Sequence, residues 1–124
     1  MLASVPLVPG LPMFGYGLEL TSFFRLPGAL ADAGYCTFFA QTSHRDSYRL
    51  CALASYLGAQ GSYGFEDMKK LLPYKDKAPF GYDYDGLMFS ADQVQKCQGK
   101  PFMGMLFTGI THAPFARTLD RFEK

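Results

Sequence analysis

The stretch Gly99-Lys-Pro-Phe-Met-Gly-Met-Leu-Phe-Thr-Gly-Ile-Thr-His-Ala-Pro-Phe115 carries the strongest fold signal in this chain. Residues 102–110 are apolar apart from one Thr and two Gly, which predicts a strand that is covered on both faces. Pro114 cannot continue a hydrogen-bonded ladder, so His112 is expected just beyond the carboxyl end of that strand. In an open α/β sheet, ligands bind at this edge.

The segments upstream alternate between helical and strand patterns. They predict α/β architecture, a mostly parallel sheet with helices on both faces. One domain is expected over residues 1–124, with an irregular apolar lead-in at 1–21, an α/β core at 22–115 and a polar tail at 116–124. The expected helices are 23–33, 48–57, 66–72 and 87–97, and the expected strands are 35–40, 62–65 and 102–110.

The composition excludes several classes of protein. Hydrophobic residues make up 48% of the 124 residues and charged residues 19%, which is typical of a folded globular domain. The net charge of +1, without a basic cluster, argues against nucleic-acid binding. No apolar run reaches the roughly 18 to 20 residues of a membrane span, and the proline-rich amino end lacks the basic region of a signal peptide.

The cysteines are three in number, widely spaced, and without a CxxC pair. A zinc site or a thioredoxin-type redox motif is therefore not expected. Cys36 and Cys51 fall within apolar patterns, where a free thiol packs as a small hydrophobic group.

Two loops and one acidic pair are candidates for a functional site, each with a plainer alternative. In the loop 41–48, His44 and Arg45 are suited to bind an anion together with free amides of the following helix, but the loop is also typical of an ordinary surface turn. His112 is either a substrate contact or a structural histidine. Asp83 and Asp85 could together bind a cation, but no third ligand lies at useful spacing. The plainer interpretation is that they cap the N-terminus of a helix and face solvent.

Three groups of segments, in order along the chain, resemble the alkaline-phosphatase superfamily in its sulfatase-like branch of lipoteichoic acid synthases and phosphoglycerol transferases. The likeness covers most of the chain. Its segments are Leu26–Phe39, Ser43–Tyr48 with Leu57-Gly58 and Tyr63–Asp67, and Lys100–Phe102 through His112–Phe115 with Arg121–Lys124.

The resemblance implies transfer or hydrolysis at a phosphate or sulfate ester. In the family, a Thr, Ser or formylglycine nucleophile is activated by a divalent cation (Mn, Mg, Ca or Zn). His112 is similar to the family histidine that contacts the phosphoryl group, and His44 and Tyr48 lie in the loop that lines the same pocket. Arg49 is the nearest counterpart of an arginine that some members carry after this turn. With Arg45, these residues form the expected substrate-binding set.

The departures from the family pattern concern the catalytic groups. The family nucleophile lies upstream of the segment that Leu2–Pro12 resembles, and the family's Asp-His metal pair lies downstream of Lys124. Ser4-Val-Pro6 resembles the start of the sulfatase signature, but Val8 replaces its arginine. The chain is therefore expected to be an internal fragment of a partial sulfatase-like domain, with no catalytic residue, metal ligand or cofactor of its own, and inactive alone.

The expected parent is a phosphoglycerol or phosphoethanolamine transferase or a sulfatase. It would be membrane-anchored and would act in the periplasm or at the extracellular face of a bacterial membrane. The alternative is a small non-catalytic α/β module that binds an anion or a partner. Self-association through an exposed sheet edge is a further expectation for a fragment of this kind.

Overall fold

The computed structural model describes residues 24–71 and 80–113. The apolar lead-in and the polar tail expected from the sequence lie outside the described residues. Among the described residues, no helix combines the length and the apolar character that crossing a bilayer requires.

The described strands form one parallel sheet. Its central strand, β1 (Cys36–Gln41), pairs with β2 (Gly61–Tyr63) on one side and with β3 (Phe102–Phe107) on the other. Six residue pairs join β1 to β3, from Cys36 opposite Phe102 to Gln41 opposite Phe107. The parallel α/β architecture predicted from the sequence is confirmed.

Three α-helices accompany the sheet: α1 (Leu26–Asp32), α2 (Leu50–Tyr56) and α3 (Asp83–Lys96). Single 3-10 turns precede α2 at Ser47–Arg49 and follow β2 at Phe65–Asp67.

The helices cover both faces of β1. Alternate residues of a strand point to opposite faces. Phe39 packs against Cys51 and Ala54 of α2, whereas Cys36, which belongs to the other face, is bonded to Cys97 at the end of α3. Helices on both faces of the sheet are therefore confirmed.

The prediction that the strand at 102–110 is covered on both faces was wrong. β3 has only β1 as a neighbour in the described part of the sheet, and Phe102 and Phe107 are 50% and 46% exposed. The strand covered on both faces is β1, where residues 37–41 are all buried. An apolar run predicts a strand but does not distinguish a central strand from an edge strand.

The prediction that Cys36 packs as a free thiol was also wrong. Cys36 forms a disulfide with Cys97, across a separation of 61 residues. Because α3 runs antiparallel to the strands, its last turn returns to the amino edge of the sheet, where β1 begins. Cys51 remains a buried free thiol, as predicted.

We predict that loss of the disulfide destabilises the fold. Replacing both Cys36 and Cys97 by Ala should lower the free energy of unfolding by about 2–4 kcal/mol, because the cross-link restricts the unfolded chain. Urea denaturation measures this effect. A reductant should lower the urea midpoint of the natural chain and leave that of the double variant unchanged; an equal midpoint with and without reductant in the natural chain would contradict the prediction.

Candidate functional site

The loops that follow the three strands meet at one edge of the sheet, because parallel strands end on the same side. These loops are 42–46 after β1, 64–67 after β2 and 108–113 after β3. The chain leaves β1 toward β2 through α2, while β3 lies on the opposite side of β1. The gap between the carboxyl ends of β1 and β3 is therefore a topological switch point, the usual place for a ligand in such sheets.

An open cleft of about 490 Å³ lies at this switch point. One wall comes from the start of α2 and the other from the loop after β3. The lining is mainly aromatic and aliphatic, with hydroxyl groups and one imidazole. Its principal residues are Tyr48, Leu50, Phe80, Phe107, Thr111 and His112.

The chain reaches this cleft through an unusual backbone conformation. Tyr48 and Arg49 both have φ of 54°, in the left-handed region that non-glycine residues rarely adopt. Tyr48 lines the cleft, whereas Arg49 lines a separate depression beside α2. Two strained residues in succession often occur at functional sites, and here they send neighbouring side chains to two different concavities.

His112 lies at the mouth of the cleft with its ring fixed at two points. The ring centroid is 5.1 Å from that of Phe80, and Nδ1 is 2.7 Å from the carbonyl oxygen of Ala113. The His112 amide also donates to the carbonyl of Gly109, closing a turn. The position past the carboxyl end of β3 agrees with the sequence prediction.

The depression beside α2, about 550 Å³ in volume, contains both arginines of the expected substrate set. The guanidinium of Arg45 donates to the carbonyl of Ser62 and pairs with Asp67. Arg49 forms no salt bridge with any described residue. Cys51 also borders the depression, but burial raises the pKa of its thiol and so disfavours the reactive thiolate.

Some of the amides around the start of α2, where the sequence suggested anion donors, are already engaged. The amides of Ser47, Arg49 and Leu50 donate to the carbonyls of His44, Asp46 and Ser47, respectively. The 3-10 turn ahead of α2 therefore uses these three donors internally. Arg49 occupies the N-cap position of α2.

His44 is engaged with the loop after β2. Its Nδ1 lies 2.9 Å from Oε1 of Glu66, and its ring contacts the edge of Phe65. Glu66 also accepts from the backbone amide of Arg45, at 3.0 and 3.2 Å from its two oxygens. This network ties the loop after β1 to the loop after β2.

Asp83 and Asp85 do not act as a pair. Asp83 accepts from the amides of Gly109 and Ile110 in the loop after β3, whereas the buried Asp85 accepts from the amide of Leu71. Within residues 24–71 and 80–113, no three His, Cys, Asp or Glu side chains are grouped to hold a metal ion. Both carboxylates stand in the first turn of α3, where the helix dipole favours negative charge.

The structure thus divides the predicted substrate set. His112 and Tyr48 share the cleft, Arg45 and Arg49 share the neighbouring depression, and His44 lines neither. Sequence reasoning missed Phe80 and Phe107 as lining residues. Phe80 carried a weak signal, as an aromatic residue between Pro79 and Gly81 in an otherwise polar stretch.

Three consecutive buried residues at the end of β1 carry oxygens without hydrogen-bond partners. They are Oε1 of Gln41, Oγ1 of Thr42 and Oγ of Ser43, in side chains that are at most 2% exposed. An unsatisfied buried oxygen costs roughly 1–3 kcal/mol. Such atoms are usually satisfied by an ordered water or a bound group.

The sequence matches no family model and no curated protein, and the fold matches no solved structure. What the chain does is therefore inferred from its own residues and their arrangement.

We predict that the Glu66 network makes stability fall in acid. Burial acts to raise the pKa of Glu66, but hydrogen bonds from backbone amides and from His44 outweigh burial and lower it below the ordinary value of 4.5. A depressed carboxyl pKa stabilises the fold above the unfolded-state value, and this contribution is lost as the pH falls through the lower folded-state value.

Urea denaturation of the natural chain and of Glu66→Gln between pH 3 and pH 7, a range set by the reference carboxyl pKa of about 4, measures this contribution. The variant should lose less stability in acid than the natural chain does. An identical pH dependence in both proteins would contradict the assignment. Asp92→Asn, which changes an exposed carboxyl on α3, is the matched control.

Proposed function

We propose that this chain forms the substrate pocket of a metal-dependent transferase or hydrolase that acts on phosphate or sulfate esters, in the sulfatase-like branch of the alkaline-phosphatase superfamily. The observation that carries the proposal is that His112 and Tyr48, two residues of the resemblance, line one cleft at the switch point of a parallel sheet. The order of the matching segments along the chain supports it further.

The cleft is suited to an ester with an anionic head and an uncharged body. When the shared proton lies on Nε2, His112 donates a charge-assisted hydrogen bond to a phosphoryl or sulfuryl oxygen, and the Thr111 hydroxyl offers a second donor. The rings of Tyr48, Phe80 and Phe107 provide apolar walls for the rest of the molecule.

Arg45 and Arg49 supply positive charge next to the cleft. Arg45 already pairs with Asp67, so Arg49 is the better candidate for contact with an extended anionic substrate. His44 is held by Glu66 and is proposed as a residue that shapes the loop, with less direct contact to the ligand.

The described residues do not provide a metal site, and the proposal assigns no chemical step to them. The nucleophile and the divalent cation would be supplied by other parts of the parent domain. A parent that works outside the cytoplasm agrees with the Cys36–Cys97 disulfide, since disulfides persist mainly in oxidising compartments.

We predict that an ester anion binds in the cleft and contacts His112. Titration with glycerol phosphate, followed by NMR, should shift the resonances of His112 and Tyr48 together in one binding event. His112→Ala should weaken binding roughly 10- to 100-fold, because a hydrogen bond to a charged group contributes about 1.5–3 kcal/mol.

The matched control is His44→Ala, which removes the other histidine of the chain and leaves the cleft lining intact. Its affinity should stay within about twofold of the natural value, since a contact made outside the cleft contributes little to binding. Equal losses in the two variants, or shifts confined to residues outside the cleft, would contradict the proposed site.

We predict that the chain alone does not turn over substrate. With a generic phosphodiester and added Mn²⁺, the rate of product release should equal the rate without protein, because no residue of this sequence matches the family's nucleophile or its Asp-His metal pair. Turnover that His112→Ala abolishes would overturn this expectation and assign catalysis to this chain.

The alternative is a small non-catalytic α/β module that binds an anion or a partner, and self-association through an exposed sheet edge is one form of partner binding. One observation favours it: β3 has an unpaired edge in the described part of the sheet, next to the half-exposed Phe102. Sedimentation velocity separates the two proposals. If the sheet edge is the functional surface, the chain should self-associate and Phe102→Lys should abolish that association. If the cleft is the functional site, the ester should bind whether or not the chain self-associates.

A further inference from the structure

We infer that Asp83 is a positioning residue for His112: its carboxylate fixes the turn that keeps Nδ1 of the imidazole bonded to Ala113 and leaves Nε2 as the ring nitrogen that meets the ligand. The inference rests on the proposed function in one respect only, namely that His112 is the residue that meets the ligand. The tautomer itself is a property of the free protein.

The anchor consists of two hydrogen bonds to one oxygen. Oδ1 of Asp83 accepts from the amide of Gly109 at 2.9 Å and from the amide of Ile110 at 3.2 Å. Asp83 is the first residue of α3, a helix of 14 residues whose far end is bonded to β1 by the disulfide. The carboxylate therefore projects from a helix that is tied to β1 and holds the loop after β3.

Phe80 completes the anchor from the opposite side. A Cβ atom on the buried Gly109 would lie 2.8 Å from the Phe80 ring, so the ring occupies the space that the glycine leaves. Phe80 is itself held by a bridge to Ser43 at the end of β1 and is 8% exposed. Its ring then supports that of His112 at a centroid distance of 5.1 Å.

The turn determines which imidazole nitrogen carries the proton. Nδ1 of His112 lies 2.7 Å from the carbonyl oxygen of Ala113, and a carbonyl oxygen only accepts. Nδ1 therefore donates, and in the neutral ring Nε2 keeps its lone pair. Nε2 has no hydrogen-bond partner among the described residues, so it can share a hydrogen bond with a ligand that brings the proton, such as the P–OH group of a phosphate monoanion.

Loss of the Asp83 carboxylate would free the amides of Gly109 and Ile110. The turn would then loosen, the bond from Nδ1 to Ala113 would break intermittently, and the imidazole would populate both tautomers. Asp83→Asn keeps an oxygen acceptor at the same place and should keep the tautomer, whereas Asp83→Ala should not.

The test is ¹⁵N NMR of the histidine rings in the full chain, under alkaline conditions where the imidazoles are neutral. The natural chain and Asp83→Asn should show one protonated and one unprotonated nitrogen for His112, with Nδ1 protonated. Asp83→Ala should show averaged shifts for His112. Asp92→Ala, which removes an exposed carboxylate elsewhere on α3, is the matched control and should resemble the natural chain.

Hydrogen exchange of the Gly109 and Ile110 amides in the natural chain gives a second measurement that does not depend on the folding of a variant. Both amides should be protected if they are bonded to Asp83, and unprotected amides would overturn the inference. An unchanged His112 tautomer in folded Asp83→Ala would overturn it as well.

Titration of the same samples with inorganic phosphate, near neutral pH, separates this inference from the proposed function. In Asp83→Ala, the affinity for phosphate, measured from the His112 resonances, should fall about fivefold. This is the equivalent of one hydrogen bond of about 1 kcal/mol. If phosphate leaves His112 of the natural chain unaffected while the tautomer depends on Asp83, the positioning role is supported and the proposed function fails.

Discussion

The candidate site depends on the parallel pairing of β1 with strands on both of its edges. Because β1 is central, its residues 37–41 are buried and its carboxyl end is fixed between two neighbours. β2 leads its loop to one side of that end and β3 leads its loop to the other. The disulfide at the opposite edge joins β1 to α3, and α3 in turn presents Asp83 to the loop of β3. One strand therefore sets the geometry of the cleft.

The end of β1 also carries a cluster of buried side-chain oxygens without hydrogen-bond partners. These oxygens belong to Gln41, Thr42 and Ser43, where the chain leaves the strand. Natural proteins keep such atoms where water or a ligand completes the hydrogen bonding. The left-handed backbone of Tyr48 and Arg49 adds strain a few residues later. The unsatisfied oxygens and the backbone strain thus lie at the same edge of the sheet. This agrees with a site whose geometry is constrained by binding.

Local signals in the sequence were enough to predict the architecture but not the details of the site. Local patterns predicted a helix at 23–33 and a strand at 35–40, and the structure has α1 at Leu26–Asp32 and β1 at Cys36–Gln41, so the helix begins three residues later than expected. The burial of β3 was overestimated, because an apolar pattern does not specify how many neighbours a strand has. The Cys36–Cys97 bond and the bonds of Asp83 to Gly109 and Ile110 join residues far apart in sequence. Such contacts arise only once the parallel order of the strands is fixed.

We propose that the cleft between β1 and β3 receives the anionic head of an ester. A crystal structure of the chain soaked with glycerol phosphate would show this binding site. We expect a phosphoryl group within hydrogen-bond distance of Nε2 of His112, with the rest of the molecule between the rings of Tyr48 and Phe80. A ligand found only in the depression of Arg45 and Arg49, or a cleft that stays empty in crystals whose packing leaves it open, would contradict it.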